Sequence, residues 1–425
     1  MSQFLRLGGN LVLTRLLAPE LFGIMALARA FITGLHLFSD IGLRPSIIRS
    51  PRGDDPLFLN TAWTLGALRG IVLWAFTLAL ALPMAKIYGS PNLAWVIPFA
   101  GLNAILYGFN STSIYTLNKN IQLGKLSIME FSTQLIALIS MIILAYLYKN
   151  IWSLIIGTLI GSLSSTIWSH FLDTNTRNRF VLEKTAITEM ISFGKWIFVS
   201  TAMMFLATQA DRFLLGKIFP MAFFGVYSIA VIFAELPKQI ISHLSSKVIY
   251  PLIAKYSHLP RNELRLKILE KRKLILIPLA LLVALLAGFG DVLIDLLYDD
   301  RYKQAGWMLS LLALGMWPLV LYATIDRSLY VIGKPTYSAF GNFLKFIYMI
   351  IFIPLSFAYA GFLGAVFAVA MNDLPVYIAT SIGLRKEKLS CFTQDIFATI
   401  LLAALLGTCI MIRLAFELDI PVIGI

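Results

Sequence analysis

Apolar runs close to the length of a membrane-crossing helix recur from one end of this sequence to the other, and that repetition limits the fold more than any other feature. A helix needs about 20 apolar residues to cross a hydrocarbon core of roughly 30 Å. Reading the runs between polar or Pro/Gly breaks predicts helices near 3–17, 21–48, 60–85, 93–117, 124–147 and 151–172. A second set is predicted near 191–219, 222–249, 274–297, 305–332, 337–359 and 361–384, with a thirteenth near 392–416. Of 425 residues, 59% are hydrophobic and only 13% charged. The mean hydropathy is +0.82, well above that of a soluble globular chain. The reading is an all-α polytopic membrane protein of about 12 to 13 transmembrane helices.

The formal charge of +13 fits positively charged cytoplasmic loops better than nucleic-acid binding. Counted on alternate sides of the predicted helices, the basic residues collect mostly on one side. Loops 44–60, 118–125, 173–190, 250–273 and 385–391 are therefore expected in the cytoplasm, with turns at Pro19, Gly89, Asn150, Pro220, Asp299 and Ala360 facing outward. Lys86, Lys149, Arg301, Lys303 and Arg413 are the few cations assigned to the outer side. Cys391 and Cys409 lie on one predicted helix, about 27 Å apart, too far to bridge. In the basic segment "KYSHLPRNELRLKILEKRK", a solvated loop is the preferred reading over an amphipathic segment that turns Leu264, Ile268 and Leu269 into the inner leaflet.

An internal repeat organises the helices. "RLLAPELFGIMALA" from Arg15 lies without a gap over "KIFPMAFFGVYSIA" from Lys217, matching Phe22-Gly23 with Phe224-Gly225. A spacing of about 200 residues covers six helices, so the two halves run in the same direction, a parallel duplication that places a cavity between them. The expected domains are a helical bundle at 1–172 whose first helix is short or truncated, a cytoplasmic linker at 173–190, a second bundle at 191–384, and an additional helix at 385–425.

Charges inside apolar helices are costly and normally face a wet cavity or a partner. Arg29, Thr33, His36 and Asp40 recur at helical spacing and share one face. The repeat puts Glu235 over Thr33, Lys238 over His36 and Ser242 over Asp40, with Ser246 extending the second stripe. Gln3, Arg6, Asn10 and Thr14 trace a face on the first helix, and Thr201, Thr208, Asp211 and Arg212 one on its counterpart. Arg69 lies within the third helix, whereas Asp326, Arg327, Lys345 and Asp373 are close enough to a cytoplasmic end to snorkel. Matched stripes containing guanidinium groups favour an anionic, amphiphilic cargo, since Arg binds phosphate in bidentate fashion. Asp40, Asp211 and Glu235 are candidates for ion coupling, although pairing with Arg29, Arg212 or Lys238 accounts for each equally well.

No nucleotide-binding loop, H-E-x-x-H, C-x-x-C or G-x-S-x-G motif occurs in the sequence, so no catalytic residue, metal site or cofactor is assigned. Asp54-Asp55 reads as capping of the following helix, and Asp299-Asp300 as local pairing with Arg301 and Lys303.

The words "NLVLTRLLAPELFGIMALA" from Asn10, "LFSDIGLRPSIIRS" from Leu37, "GDDPLFLNTAW" from Gly53 and "KIYGSPNLAWVIP" from Lys86 resemble the bacterial polysaccharide flippases. These are the Wzx-type transporters of the multidrug/oligosaccharidyl-lipid/polysaccharide exporter superfamily, lipopolysaccharide and exopolysaccharide branch. The resemblance implies two six-helix bundles around a cationic cavity and a non-enzymatic function in the bacterial inner membrane. That function is alternating-access movement of an undecaprenyl-diphosphate-linked oligosaccharide from the inner to the outer leaflet. It implies that Arg6, Arg29 and Arg69, with Arg212 opposite, meet the diphosphate, and it implies membrane lipids, polysaccharide polymerase and chain-length machinery as partners, with no nucleic acid. Family members usually have a longer first helix and often a fourteenth. The alternatives are a multidrug or cation antiporter of the same superfamily, disfavoured by a basic cavity, and a membrane glycosyltransferase or polymerase, disfavoured by short outer loops.

Overall fold

Every element of the computed structural model is helical among the described residues, which are 2–40, 42–173, 177–245 and 259–419 with a few isolated positions among 246–258. Ser246 and the side chain of Gln3, both expected on polar faces, lie outside the described residues. The first helices are α1 (Ser2–Leu16), α2 (Pro19–Phe38), α3 (Leu43–Arg49), α4 (Pro56–Ile87), α5 (Leu93–Gly108), α6 (Ser113–Lys119), α7 (Leu123–Tyr148) and α8 (Trp152–Ser169). They are followed by α9 (Lys184–Ile218), α10 (Met221–Ala234), α11 (Leu236–Leu244), α12 (Arg261–Leu297), α13 (Ala305–Gly315), α14 (Trp317–Ala323), α15 (Asp326–Val331), α16 (Thr336–Ala370), α17 (Leu374–Lys386) and α18 (Phe392–Ala415). Helices fill the bilayer because each one satisfies its backbone N–H and C=O groups internally. Eight described helices are long and apolar enough to span a membrane, and nine if the bent pair α5 and α6 forms one span.

Each predicted span has its helix or run of helices. The span at 21–48 is divided into α2 and α3 by a turn in which Gly42 takes φ +68°, a left-handed conformation that glycine adopts at little cost. The span at 93–117 bends by 60° between α5 and α6. In the second half, 222–249 breaks at Glu235 between α10 and α11, and 305–332 divides into α13, α14 and α15. The second and fourth spans of both halves are therefore interrupted. The expected turn at Ala360 is a break within α16, where Gly361 has φ +57°.

Contacts divide the chain into two compact units, the first running to Phe205 and including Pro220–Gly225, the second comprising Leu206–Phe219 and the chain from Val226 onward. In the first unit, α4 and α5 approach closely through Gly66, Gly70 and Gly108. A Cβ on Gly108 would lie 2.6 Å from the Gly66 carbonyl oxygen, and one on Gly70 2.5 Å from that of Ala104. Small residues four apart allow such contact between membrane helices. The repeat also has a physical counterpart here. A Cβ on Gly23 would collide with the Met221 carbonyl, and one on Gly225 with the Pro19 carbonyl. Pro19 aligns with Met221 and Gly23 with Gly225, so the two copies of this turn meet reciprocally.

The segment expected as a linker at 173–190 is helical from Lys184 onward. Before that, residues 178–183 lie along α4. The amides of Arg179, Val181 and Glu183 donate to Asn60 Oδ1 (2.9 Å), Thr64 Oγ1 (3.0 Å) and Thr61 Oγ1 (3.1 Å). Those three acceptors are buried, so the polar run "NT..T" at the start of α4 serves as a docking rail.

In the second unit, α12 covers 37 residues with a break at Phe289, where φ is −132°; the stretch before the break rises about 42 Å at 1.5 Å per residue and is longer than a hydrocarbon core of roughly 30 Å. Its first turns take up part of the basic segment expected as a solvated loop. Leu264 and Ile268 are 1% and 5% exposed and belong to the protein core, with Leu269 packed against it. The apolar face of this segment thus meets the unit's own helices, contrary to both the loop and the lipid-facing readings.

The thirteenth predicted span, α18, packs on α12 and is fastened near both ends. Arg272 of α12 pairs with Asp395 at 2.6 Å, with side chains 1% and 10% exposed. Arg413 of α18 pairs with Asp291 of α12 at 2.6 Å, with Arg413 2% exposed. Arg413, expected among the outer cations, is therefore a buried structural group, and so is Arg272, expected in a basic loop. Both cysteines are free and buried.

Candidate functional site

Within the first unit, the ends of α2 and α3 together with α4, α5 and α6 enclose a cavity of about 260 Å³. Gly66, Gly70 and Gly108 belong to its wall, and its polar lining comes from His36, Arg69, Tyr107, Asn110, Thr112 and Tyr115. Arg69 is held at the end of α2, where a helix leaves carbonyl groups without intrahelical partners. Its Nε donates to Ser39 Oγ at 3.0 Å and one terminal nitrogen to the His36 carbonyl at 2.6 Å. Thr201 Oγ1 donates to the neighbouring Leu37 carbonyl at 2.8 Å. The His36 ring meets Tyr107 edge-on, with centroids 6.3 Å apart.

The expected stripe on α2 is shortened. The helix ends at Phe38, so Asp40 leaves the face shared by Arg29, Thr33 and His36, and its Oδ1 accepts from the Gly42 amide at 2.9 Å. Aspartate stabilises turns in this way. Eleven residues of near-continuous helix, about 16 Å of rise, also rule out the Arg29–Asp40 pairing. Arg6 and Arg29 are exposed, and Thr33 is half-buried. Arg69 alone of the proposed diphosphate arginines lines the cavity.

The second unit carries its own polar set. Glu235 and Lys238 pair at 3.0 Å, while Ser242 is exposed on α11. Asp211 accepts from the Tyr227 hydroxyl at 3.2 Å, and Arg212 donates to Gln209 at 2.8 Å. Asp211 and Glu235 are charged neighbours of Arg212. Lys345 and Asp373, expected to snorkel, instead form an ion pair at 2.8 Å with side chains 11% and 2% exposed, and Tyr322 donates to the same carboxylate at 3.1 Å. Each buried charge is thus met by a counter-charge within the unit rather than by the membrane interface.

Asn110, Tyr107 and Tyr115 in the cavity, and the Arg272–Asp395 and Arg413–Asp291 pairs, were not legible as site or packing residues. The only available signal was a charged residue in or beside an apolar run, which names no partner. At the start of α4, Asp55 caps the helix through the Leu57 amide at 3.0 Å. Asp299 pairs with Arg301 at 2.6 Å, so Asp55 and Asp299 have the capping and local-pairing roles expected, whereas Asp54 pairs at 2.6 Å with Lys119 of α6, far along the chain. Arg52 bridges Asp55 and Glu183, each at 2.6 Å. Its hydrogen bonds hold both carboxyls below their usual range.

The whole chain has the fold of known membrane transporters. It is similar to the lipid II flippase MurJ in an inward closed conformation, with a TM-score of 0.79 and 15% identity over 99% of this chain and 92% of that one. It is also similar to an inward-facing multidrug resistance MATE family transporter of the MOP superfamily, with a TM-score of 0.69 and 13% identity over 96% of each chain. These likenesses define the class, a multi-pass membrane protein with the all-α fold of that superfamily. Residues 12–306 match the family described as polysaccharide biosynthesis protein, and the chain belongs to that family.

Among curated relatives, it is 22% identical to the lipopolysaccharide biosynthesis protein WzxC of Escherichia coli over 57% of this chain and 50% of that one. It is 20% identical to the succinoglycan biosynthesis transport protein ExoT of Rhizobium meliloti over 76% of this chain and 65% of that one. The chain spans between 50% and 66% of the length of the curated relatives it matches.

Proposed function

We propose that the protein is a flippase of the bacterial inner membrane. It moves undecaprenyl-diphosphate-linked oligosaccharide units from the inner to the outer leaflet by alternating access, for cell-surface or extracellular polysaccharide synthesis. The observation that carries this reading is the likeness of the whole chain to a lipid II flippase fold, in a chain that belongs to a polysaccharide biosynthesis family. Charge chemistry supports it. Glu235, Asp291, Asp373 and Asp395 are each paired with a cation, which leaves few carboxylates for a cationic drug, whereas Arg6 and Arg29 are exposed on the helices that begin the first half.

In this proposal Arg6, Arg29 and Arg212 meet the diphosphate. Arg69 has a different part, because two of its three nitrogens hold the end of α2. Asp40, Asp211 and Glu235 remain the candidates for ion coupling, and polymerase and chain-length proteins would act on the delivered units. The protein performs no bond chemistry in this scheme.

Translocation of a lipid-linked oligosaccharide in proteoliposomes, with and without an ion gradient, tests the proposal. Arg29→Ala should reduce transport by at least tenfold in protein that remains folded. Binding of cationic dyes but not polyprenyl diphosphates would point to an antiporter, and sugar transfer by the isolated protein to an enzyme.

A further inference from the structure

The cavity inside the first unit has donors and acceptors that its own residues leave unmatched. The second terminal nitrogen of Arg69 has no hydrogen-bond partner among the described residues, since its Nε and other terminal nitrogen take Ser39 and His36. The carboxylate nearest in its electrostatic surroundings is Asp40, and one oxygen of that group is engaged by the Gly42 amide. The Tyr115 ring lies on the same wall, within electrostatic range of both Arg69 and Arg44. In the lining of the same cavity, Asn110 Oδ1 is buried with no partner among the described residues.

A buried acceptor left unmade costs about 1–3 kcal/mol. A half-buried guanidinium with one terminal nitrogen left over calls for an anion. One ligand chemistry answers both, an oxyanion that accepts from Arg69 and donates an O–H to Asn110. A halide accepts but cannot donate. A neutral sugar donates but leaves the cation unanswered. The volume of about 260 Å³ is far more than one water needs and holds a phosphate-sized group with some of its hydration.

We infer that this cavity is a binding site for one hydrogen phosphate group, held by Arg69 and Asn110 with Tyr115 beside it. The group is either free inorganic phosphate or the phosphate monoester of a lipid. The site lies wholly among residues 36–115 of the first unit, so the inference stands apart from the transported cargo and is tested by binding alone.

The experiment uses the full chain in a phosphate-free maltoside micelle, titrated with inorganic phosphate by calorimetry and by thermal shift. Wild type should bind one phosphate saturably, and chloride at equal ionic strength should not compete. Dodecyl phosphate that displaces inorganic phosphate identifies a lipid source, whereas failure to displace it identifies the free ion. Asn110→Asp puts a negative charge opposite the ligand and leaves Arg69's bonds to α2 intact, so it should weaken binding at least tenfold with an unchanged unfolding midpoint. Arg69→Gln should abolish binding. The inference is overturned if wild type binds neither phosphate, if chloride competes equally, or if a folded Asn110→Asp variant binds as wild type does.

Discussion

Replacing Arg272 with methionine tests whether α18 is held by charge or only by apolar packing. In the native protein, Arg272 Nε donates to Thr324 Oγ1 at 2.7 Å, one terminal nitrogen to Gln394 at 3.1 Å, and the other to both the Leu321 carbonyl at 2.7 Å and Asp395 at 2.6 Å. One side chain thus joins the interrupted α14 to the first turn of α18. Methionine retains much of the volume but leaves Asp395 buried without its cation, and breaking such a pair costs about 3–5 kcal/mol. The Leu321 carbonyl already has Thr324 Oγ1 as a second donor at 2.8 Å, so it adds little. In a membrane the unfolded reference also finds polar partners, which favours the lower end, about 3 kcal/mol.

Asp395→Asn keeps an acceptor for the Tyr377 hydroxyl, which lies at 3.0 Å. It should cost about 2 kcal/mol, and the double variant less than the sum by about 1–2 kcal/mol. Unfolding by SDS in mixed micelles reads these values. A local assay separates α18 from the rest. Cys391 is 3% exposed at the start of this helix, and burial pushes its thiol up to about 11, so it resists maleimide in wild type. Arg272→Met should expose Cys391 to labelling while Cys409, near the Arg413–Asp291 pair, stays protected. Additive effects of the two substitutions, or unchanged Cys391 labelling, would refute the reasoning.

Gly23→Ala and Gly225→Ala drive a Cβ into backbone carbonyls of the facing turn and should each cost about 1–3 kcal/mol or more. Gly8→Ala, with open space around it, should be neutral or stabilising by up to about 1 kcal/mol in the same unfolding assay. Thr64→Val removes the acceptor of the Val181 amide and should lower hydrogen-exchange protection of that amide at least fivefold, whereas Ser164→Ala, far along the chain, should leave it unchanged. The Arg52 bridge has a defined pH response. Asp55 and Glu183 have carboxyls lowered in the folded protein by hydrogen bonds from Arg52, so the bridge is fully present above their ordinary values and is lost as pH falls through the lowered ones. Protection of the Glu183 amide, corrected for intrinsic exchange, should therefore fall only below about pH 4, and Arg52→Gln should remove that step.

The all-helical membrane fold and the order of its apolar runs were legible because a bilayer allows a backbone group no distant partner. Each span must satisfy its own hydrogen bonds, and a local run of apolar residues suffices to specify it. The repeat was legible for a related reason, since Gly23 and Gly225 preserve the close approach that the two turns require of each other. Where a helix stops is less local. Asp40 continues the spacing of Arg29, Thr33 and His36, yet Gly42 and the side chains at the end of α2 close the helix at Phe38. The choice of charge partners belongs to tertiary structure alone. Arg272 finds Asp395, Arg413 finds Asp291, and Lys345 finds Asp373 because packing brings together residues far apart in sequence, and a buried charge is stable only where a counter-charge or a set of dipoles already waits. The same physics turned Arg69 from one of four similar arginines into the wall of a cavity, with an orphaned Asn110 oxygen in its lining.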